Sequence, residues 1–244
     1  MRIAFILDPL ASLSASKDSS IAMMRAAQAA GHEVWAIMQP SIHWSTAHGV
    51  CAEAARLELA ADDRAWFGER ERAVLALRDF SALVMRKDPP FDMEYVTTTW
   101  LLERAEAEGA RVFNRPAALR DHSEKLAAAE FAQFSVPTLV SREAARLHGF
   151  VDAQRDTILK PLDGMGGSEI FRVRHDDPNR NVIVETLTRD GARTIMAQRY
   201  IPEIVDGDKR ILIVGGEVVP WCLARIPKPG ETRGNLAAGG SGVA

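Results

Sequence analysis

The first 38 residues spell strand, helix, strand, and that order commits the chain to a parallel sheet. The run RIAFIL from Arg2, closed by Asp8-Pro9, is apolar without alternation, as in a strand buried on both faces. In KDSSIAMMRAAQAAGHEVWAIM, Asp18, Ser19 or Ser20 can cap a helix, Ala, Met, Arg and Gln propagate it, and Gly31 stops it. Val34–Met38 is the next strand. Two parallel strands joined this way need a crossover helix. The theme recurs. SALVMRK (81–87) reads as a buried strand ended by Asp88-Pro89-Pro90, MEYVTTTWLLERAEAEG (93–109) as an amphipathic helix stopped by Gly109, and ARVFN as a short strand. A doubly wound α/β domain with a mostly parallel sheet is expected over residues 1–122. Within it, residues 41–78 are expected to hold a short hairpin and an irregular or helical stretch around AWFGERERAVLAL.

The texture then changes. RPAALRDHSEKLAAAEFAQF (115–134) reads as a connection and a helix opening on Ser123, with Glu124 and Lys125 in its first turn. Beyond it, strands are expected at 138–140, 157–162, 169–174, 194–199, 210–214 and 217–225, with helices near 143–153 and 180–188. Gly215-Gly216, between RILIV and EVVPWCLAR, is a two-residue hairpin turn. The second half is therefore α+β with antiparallel strands, and a domain boundary falls near 121–124. The stretch IPKPGETRGNLAAGGSGVA (226–244) has two prolines, five glycines and no periodic apolar face. It reads as a long loop of the kind that serves as an active-site lid. A chain that stops inside such a loop is expected to be part of a longer protein.

Composition narrows the function classes. Of 244 residues, 47% are hydrophobic and 26% charged, which suits a globular protein with a sizeable core. Lys+Arg number 30 against 33 Asp+Glu, a net charge of -3 that offers no electrostatic footprint for nucleic acid or an anionic membrane. No apolar run approaches the ~20 residues of a spanning helix. Cys51 and Cys222 stand far apart with no CxxC pair and no histidine cluster, as for free thiols in a reducing cytosol. A cytoplasmic location is expected. The six histidines are scattered, no serine sits in a GxSxG elbow, and Met23-Met24 and the tryptophans read as packing.

Four groups of residues carry candidate chemistry. In ILKPLDGMGGSEIFRV (158–173), Lys160 precedes the loop DGMGG, whose Gly164, Met165, Gly166 and Gly167 bring backbone N–H groups within reach of an anion. The pattern is neither GxxxxGK[ST] nor a GxGxxG that opens a helix, because a strand follows. A strand–glycine loop–strand flap over phosphates remains, beside a plain hairpin with an incidental lysine. In AQRYIPEIVDGDKR (197–210), the strand end Gln198, Arg199, Tyr200 and Ile201 can meet an adenine, and Asp208 a ribose hydroxyl, or the segment is an exposed charged turn. Arg210 and Arg225, at the two ends of a hairpin, can lie side by side and, with Arg233, suit a carboxylate and a transferred phosphoryl group, or they are solvated strand ends. Arg86, in MRKDPPFD at the carboxyl end of a parallel strand, can pair with a substrate carboxylate or sit on the surface before a Pro-Pro turn.

Taken in order, FILDP with KDSS, VMRKDPPFD, LRDHSEKLAA, ILKPLDGMGG, DGDKRILIV, CLARIP and GETRGNLAAGG resemble the blocks of the prokaryotic glutathione synthetase family, of the ATP-grasp superfamily. The resemblance spans nearly the whole chain. It implies a pre-ATP-grasp domain (1–122), a central lobe with the phosphate flap (123–200) and the start of a second lobe (201–244) with its lid (226–244). It implies ligation of γ-L-glutamyl-L-cysteine and glycine with ATP, through an acyl phosphate. By position, Lys125 and Lys160 resemble phosphate ligands, residues 164–167 the flap, Gln198–Ile201 the adenine strand and Asp208 the ribose contact. Arg210, Arg225 and Arg233 resemble the residues around the reacting carboxyl, while Arg86, Asp18, Ser19 and Asn235 are expected to meet substrate. The family's acidic ligands for two Mg²⁺ or Mn²⁺ ions lie downstream of the lid, so they are expected beyond Ala244, with no metal site in this chain. A homo-oligomer is expected. Another ATP-grasp carboxylate–amine ligase, glutamate-adding or D-alanine-type, and a non-catalytic nucleotide-binding protein are the alternatives.

Overall fold

The structure, a computed structural model, describes residues 1–231, 233–236 and 239–243. The chain divides into two compact units, Met1–Ser123 and Glu124–Ala244. No helix among the described residues is long and apolar enough to cross a membrane.

The first unit opens with β1 (Arg2–Leu7), α1 (Ser19–Ala29) and β2 (Glu33–Met38). The Asp18 carboxylate caps α1 by accepting from the Ser20 N–H at 2.7 Å, and Gly31, at φ 79°, lets the chain turn back. Next come β3 (His43–Ser45), β4 (Gly49–Leu59) and β5 (Phe67–Ala76). They are followed by β6 (Ala82–Met85), α2 (Met93–Ala107), β7 (Val112–Phe113) and α3 (Pro116–Asp121). The sheet runs β3-β4-β2-β1-β6-β7, with β5 on β4. Strands β2, β1, β6 and β7 are mutually parallel, and β3, β4 and β5 extend them as an antiparallel wing.

Helices cover both faces. Ile21 and Met24 of α1 pack with Phe5, Leu7, Val34 and Ala36, whereas Tyr95, Leu102 and Ala105 of α2 pack with Ala4, Ile6, Trp35 and Ile37. Successive residues of β1 thus feed opposite cores, which is why the strand is apolar from Ile3 to Leu7.

The irregular or helical stretch expected around AWFGERERAVLAL is instead the long strand β5. Its Glu and Arg residues favour helix locally, but β4 supplies partners across the ladder. Arg72 pairs with Glu53 at 2.7 Å, Arg70 pairs with Glu58, and the register slips by one residue opposite Arg56/Leu57. Cross-strand pairing overrides propensity here. A bulged, charged edge also blunts pairing with other chains.

The second unit does not begin with the expected helix on Ser123. Two short 3₁₀ turns, Leu126–Ala129 and Ala132–Phe134, take its place. No residue from 121 to 135 is buried, and Phe131 and Phe134 are 55% and 84% exposed. A helix of that length is marginal without an apolar face to dock.

Next come β8 (Thr138–Ser141), α4 (Ala144–Gln154), β9 (Asp156–Pro161), β10 (Phe171–Arg174), α5 (Arg180–Thr188) and β11 (Ile195–Arg199). They form an antiparallel sheet, β10-β9-β11-β8, with α4 and α5 on one face. Leu147, Val151, Val184 and Leu187 of the helices meet Leu159, Val173, Ile195 and Ala197 of the strands. The other face stays open.

A second sheet follows: β12 (Asp208–Val214), β13 (Glu217–Ile226) and β14 (Ser241–Val243). Gly215 and Gly216 turn the hairpin at φ 61° and 89°, as a type I′ turn demands. The expected loop from 226 onward is shorter than its composition suggests. Residues 241–243 return as β14, with Ala224 opposite Val243 and Ile226 opposite Ser241. A pairing partner on β13 makes a strand of residues that have no pattern of their own.

Candidate active site

The open face of the β10-β9-β11-β8 sheet carries the candidate phosphate ligands. Along β9, Thr157, Leu159 and Pro161 are buried, so Ile158 and Lys160 point to the other side. The loop after β9 holds Gly166 and Gly167 at φ 67° and 85°, a region that side chains disfavour. Under it lies a cavity of about 90 Å³ lined by Lys125, Lys160, Gly164, Met165, Gly167 and Asn235, among others. The Lys125 ammonium donates to the Gly164 carbonyl at 2.5 Å and lies 3.6 Å from Glu124. Burial, reinforced by the Lys125 charge, pushes the Lys160 ammonium below its ordinary pKa. Two ammonium groups beside a small cavity roofed by glycine backbone fit a polyphosphate well.

A larger cavity of about 240 Å³ continues along the same face. Ile158, Ile170, Ile201 and Ile204 give it apolar walls, and Gln198, Arg199 and Tyr200 line it from the end of β11. The Gln198 amide donates to the Thr138 hydroxyl at 3.0 Å. Tyr200 is 9% exposed, and the Arg172 guanidinium lies 3.7 Å from its ring centroid. Asp156 grips that guanidinium at 2.9 and 2.6 Å, and its backbone carbonyl accepts from the Tyr200 N–H. Reading the sequence missed Arg172: nothing in FRVR announces that its partner is Asp156 on the neighbouring strand.

The arginine arrangement differs from the expected one. In the hairpin register Arg210 faces Leu223, and Arg225 faces Asp208. Arg225 donates to both Asp208 oxygens, at 2.7 and 2.6 Å. Arg210 is exposed and two rungs away, on the same face. The direct neighbour of Arg225 is thus Asp208 and not Arg210. The hairpin ends were placed correctly, but the rung was not.

Two further residues come from the segment between β13 and β14. Arg233 donates to the Gly167 carbonyl at 3.1 Å and to Glu231 at 2.6 Å. A Cβ on Gly167 would stand 3.0 Å from the Asn235 side-chain oxygen. Arg233 and Asn235 therefore rest on the glycine loop. Gly234 is equally tight, since a Cβ there would stand 2.9 Å from the Arg225 carbonyl oxygen.

In the first unit, Arg86 follows β6 at the carboxyl end of the parallel strands. It donates to the Ser20 hydroxyl at 3.0 Å and the Ser19 hydroxyl at 2.9 Å. Asp18, Ser19 and Arg86 are therefore gathered at one point, with Asp18 engaged as the cap of α1. Lys87 pairs with Asp8 at 2.8 Å, and Asp8 accepts from the Asp88 N–H. Burial and the charges of Asp8 and Asp18 push the Asp88 carboxyl up. Among the described residues, no group of three His, Cys, Asp or Glu is placed to hold a metal ion.

Comparison with known proteins agrees on both units. The family described as "Prokaryotic glutathione synthetase, N-terminal domain" matches residues 1–120, and "Prokaryotic glutathione synthetase, ATP-grasp domain" matches residues 124–244. The glutathione synthetase of Ralstonia nicotianae is 55% identical over 244 residues, covering 100% of this chain and 75% of that protein. That of Pseudomonas aeruginosa is 52% identical over 245 residues, covering 100% and 77%. Among solved structures, D-cycloserine synthetase DcsG is similar over 92% of this chain and 68% of its own, with 16% identity and a TM-score of 0.63. A RimK domain ATP-grasp protein from Sphaerobacter thermophilus is similar over 92% and 73%, with 20% identity and a TM-score of 0.61. These last two are likenesses of fold. Two family matches that together span residues 1–120 and 124–244, with relatives above half identity along the full chain, place this chain in the prokaryotic glutathione synthetase family of ATP-grasp ligases.

Proposed function

We infer that the chain carries out the ATP-dependent ligation of γ-L-glutamyl-L-cysteine and glycine to glutathione, with release of ADP and phosphate. Relatives with that name are about half identical to it from end to end. In its own geometry, the observation that carries the reading is the pair Lys125 and Lys160 at a cavity roofed by glycine backbone.

The chemistry explains why the parts are needed. A carboxylate is a poor electrophile. One of its oxygens attacks the γ-phosphorus of ATP, the bond to ADP breaks, and an acyl phosphate forms. The glycine amine adds to that carbonyl carbon, phosphate departs, and the nitrogen gives up a proton. Negative charge is concentrated throughout, and fixed cations offset it. We assign Lys125, Lys160 and the loop Gly164, Met165, Gly166 and Gly167 to the phosphates. Gln198, Arg199, Tyr200 and Ile201 form the adenine wall, with Asp208 at the ribose. Arg210, Arg225 and Arg233 serve the reacting carboxyl. Arg86, Asp18 and Ser19 meet γ-glutamylcysteine, and Asn235, on the lid, is assigned to substrate as well. Water hydrolyses an acyl phosphate, so the segment between β13 and β14 acts as the cover.

A divalent metal is a general requirement of such ligases. We propose two ions, Mg²⁺ or Mn²⁺; among the described residues no group of three His, Cys, Asp or Glu is placed to hold one. We divide the nucleotide-binding unit at residue 200 into a central lobe (123–200) and the start of a second lobe (201–244), after an N-terminal domain (1–122). We assign the protein to the cytoplasm, a reading that two cysteines outside any disulfide support. Light scattering tests the proposed homo-oligomer.

The test of function is direct. The full-length protein with ATP, Mg²⁺, γ-glutamylcysteine and glycine should release phosphate and form glutathione in equal amounts. Phosphate release at background rates, or release supported equally by D-alanine in place of glycine, defeats the assignment.

A further inference from the structure

One guanidinium joins the two ends of the glycine loop. Arg193 lies between α5 and β11, with its backbone N–H bonded to the Thr188 carbonyl. Its side chain is 17% exposed. Nη2 donates to Asp163 at 2.5 Å and Nη1 to Glu169 at 2.9 Å. Asp163 immediately precedes Gly164, and Glu169 follows Gly167 and Ser168. Glu169 adopts φ 55°, an uncommon conformation for a residue with a Cβ. Arg193 itself does not line the cavity under the loop.

We propose that Arg193 is a positioning residue for ATP: it staples the entry of the glycine loop to its exit, so that the loop's N–H groups are presented to the phosphates before nucleotide arrives. A glycine-rich loop has more conformational freedom to lose than any other segment of its length. Fixing both of its ends from outside the cavity removes part of that loss from the binding step. The planar fork of an arginine can hold two carboxylates at once, which a lysine point charge cannot do with the same geometry. The inference rests on the reading of the loop as a phosphate flap.

The test uses the full-length protein and four variants. Arg193→Gln should raise the KM for ATP roughly tenfold, with kcat within about twofold and the KM for glycine unchanged. Amide exchange of residues 164–168 without nucleotide should speed up. Arg193→Lys should recover part of both effects. Glu169→Gln removes one arm from a half-exposed side chain, so it gives the same direction, at smaller size, even if Arg193→Gln folds poorly. Unchanged ATP KM and unchanged exchange in the loop overturn the staple, as does a fall in kcat at constant KM. Lys160→Ala separates the two layers. If it weakens ATP binding while Arg193→Gln does not, the flap stands and the staple falls. If Lys160→Ala leaves ATP binding untouched, the flap reading falls and the staple with it.

Discussion

Asp208 and Arg225 are opposite one another on β12 and β13, and the guanidinium satisfies both carboxylate oxygens, at 2.7 and 2.6 Å. The pair raises the Arg225 pKa, through the hydrogen bonds first. Arg225 is left with its fork aimed by Asp208, and Gly234 packs against the Arg225 carbonyl. Removing the carboxylate should therefore loosen Arg225 before it affects nucleotide binding. Asp208→Asn is expected to lower kcat by about 10- to 100-fold, as misplaced catalytic groups do, with a smaller change in ATP affinity. Single-turnover kinetics with nucleotide titration measure both. A large loss of ATP affinity at preserved kcat leaves Asp208 with its ribose contact alone and no part in aiming Arg225.

Lys160 gives a pH signature with a definite sign. Burial and the Lys125 charge hold its pKa below 10.5 in the folded protein. Between that lowered value and 10.5 the unfolded chain binds more protons than the folded one, so stability without nucleotide should rise with pH in this window. Nucleotide phosphates favour the charged form, so ATP affinity should fall as pH rises through the same window. Lys160→Met should stabilise the nucleotide-free protein, weaken ATP binding and flatten both dependences. Denaturant melts and calorimetric titrations from neutral to alkaline pH check this. A Lys160→Met protein that keeps the wild-type pH dependence removes Lys160 from the account.

The Arg172 guanidinium stacks on Tyr200 at 3.7 Å and is held by Asp156, so the tyrosine that lines the larger cavity is braced from behind. Arg172→Met deletes the stack and leaves the Asp156 carboxylate with only Arg174, 4.0 Å away. The expected loss is about 1–2 kcal/mol of stability, discounted because the pair is part-exposed. The KM for ATP should rise several-fold. Tyr200→Phe keeps the ring and should stay near wild type in both measures. If Arg172→Met leaves the KM unchanged while stability falls, the stack is structural only.

What could be read in the sequence was whatever is written locally. The cap Asp18, the stops Gly31 and Gly109 and the turn Gly215-Gly216 act within a few residues of themselves, and each does what its neighbours announce. The glycine loop and Lys160 were legible for the same reason. The features missed are those whose partner is distant. β5 is a strand because Glu53 and Glu58 lie across from Arg72 and Arg70. β14 is a strand because β13 offers it a free edge. The stretch after Ser123 is not a helix because no apolar surface meets it. Arg172 and Arg193 carry no motif, since an arginine does not reveal in sequence which carboxylates it will hold. Ion-pair geometry thus supplied most of what the structure added to the site.

The contact between Gly167 and the lid residues tests whether the cover works as a seal. Gly167 has φ 85°, its carbonyl accepts from Arg233, and a Cβ would stand 3.0 Å from the Asn235 oxygen and 3.1 Å from Arg233 Cδ. Gly167→Ala strains the backbone and pushes the lid residues away. A substitution of this kind costs more than about 1 kcal/mol at an incompatible φ. The functional cost should be larger and of a specific kind. An acyl phosphate under a displaced cover meets water, so phosphate release should continue while glutathione formation falls behind it. The expected outcome is a phosphate-to-glutathione ratio well above one for Gly167→Ala, against one for the parent protein, at saturating glycine. Gly164→Ala serves as the control, because a Cβ there would meet only the Pro161 ring, at 3.3 Å. It should keep the ratio near one. If both variants stay coupled and differ from the parent only in KM for ATP, the Arg233–Gly167 contact binds nucleotide without excluding water, and the sealing role passes to another part of the segment between β13 and β14.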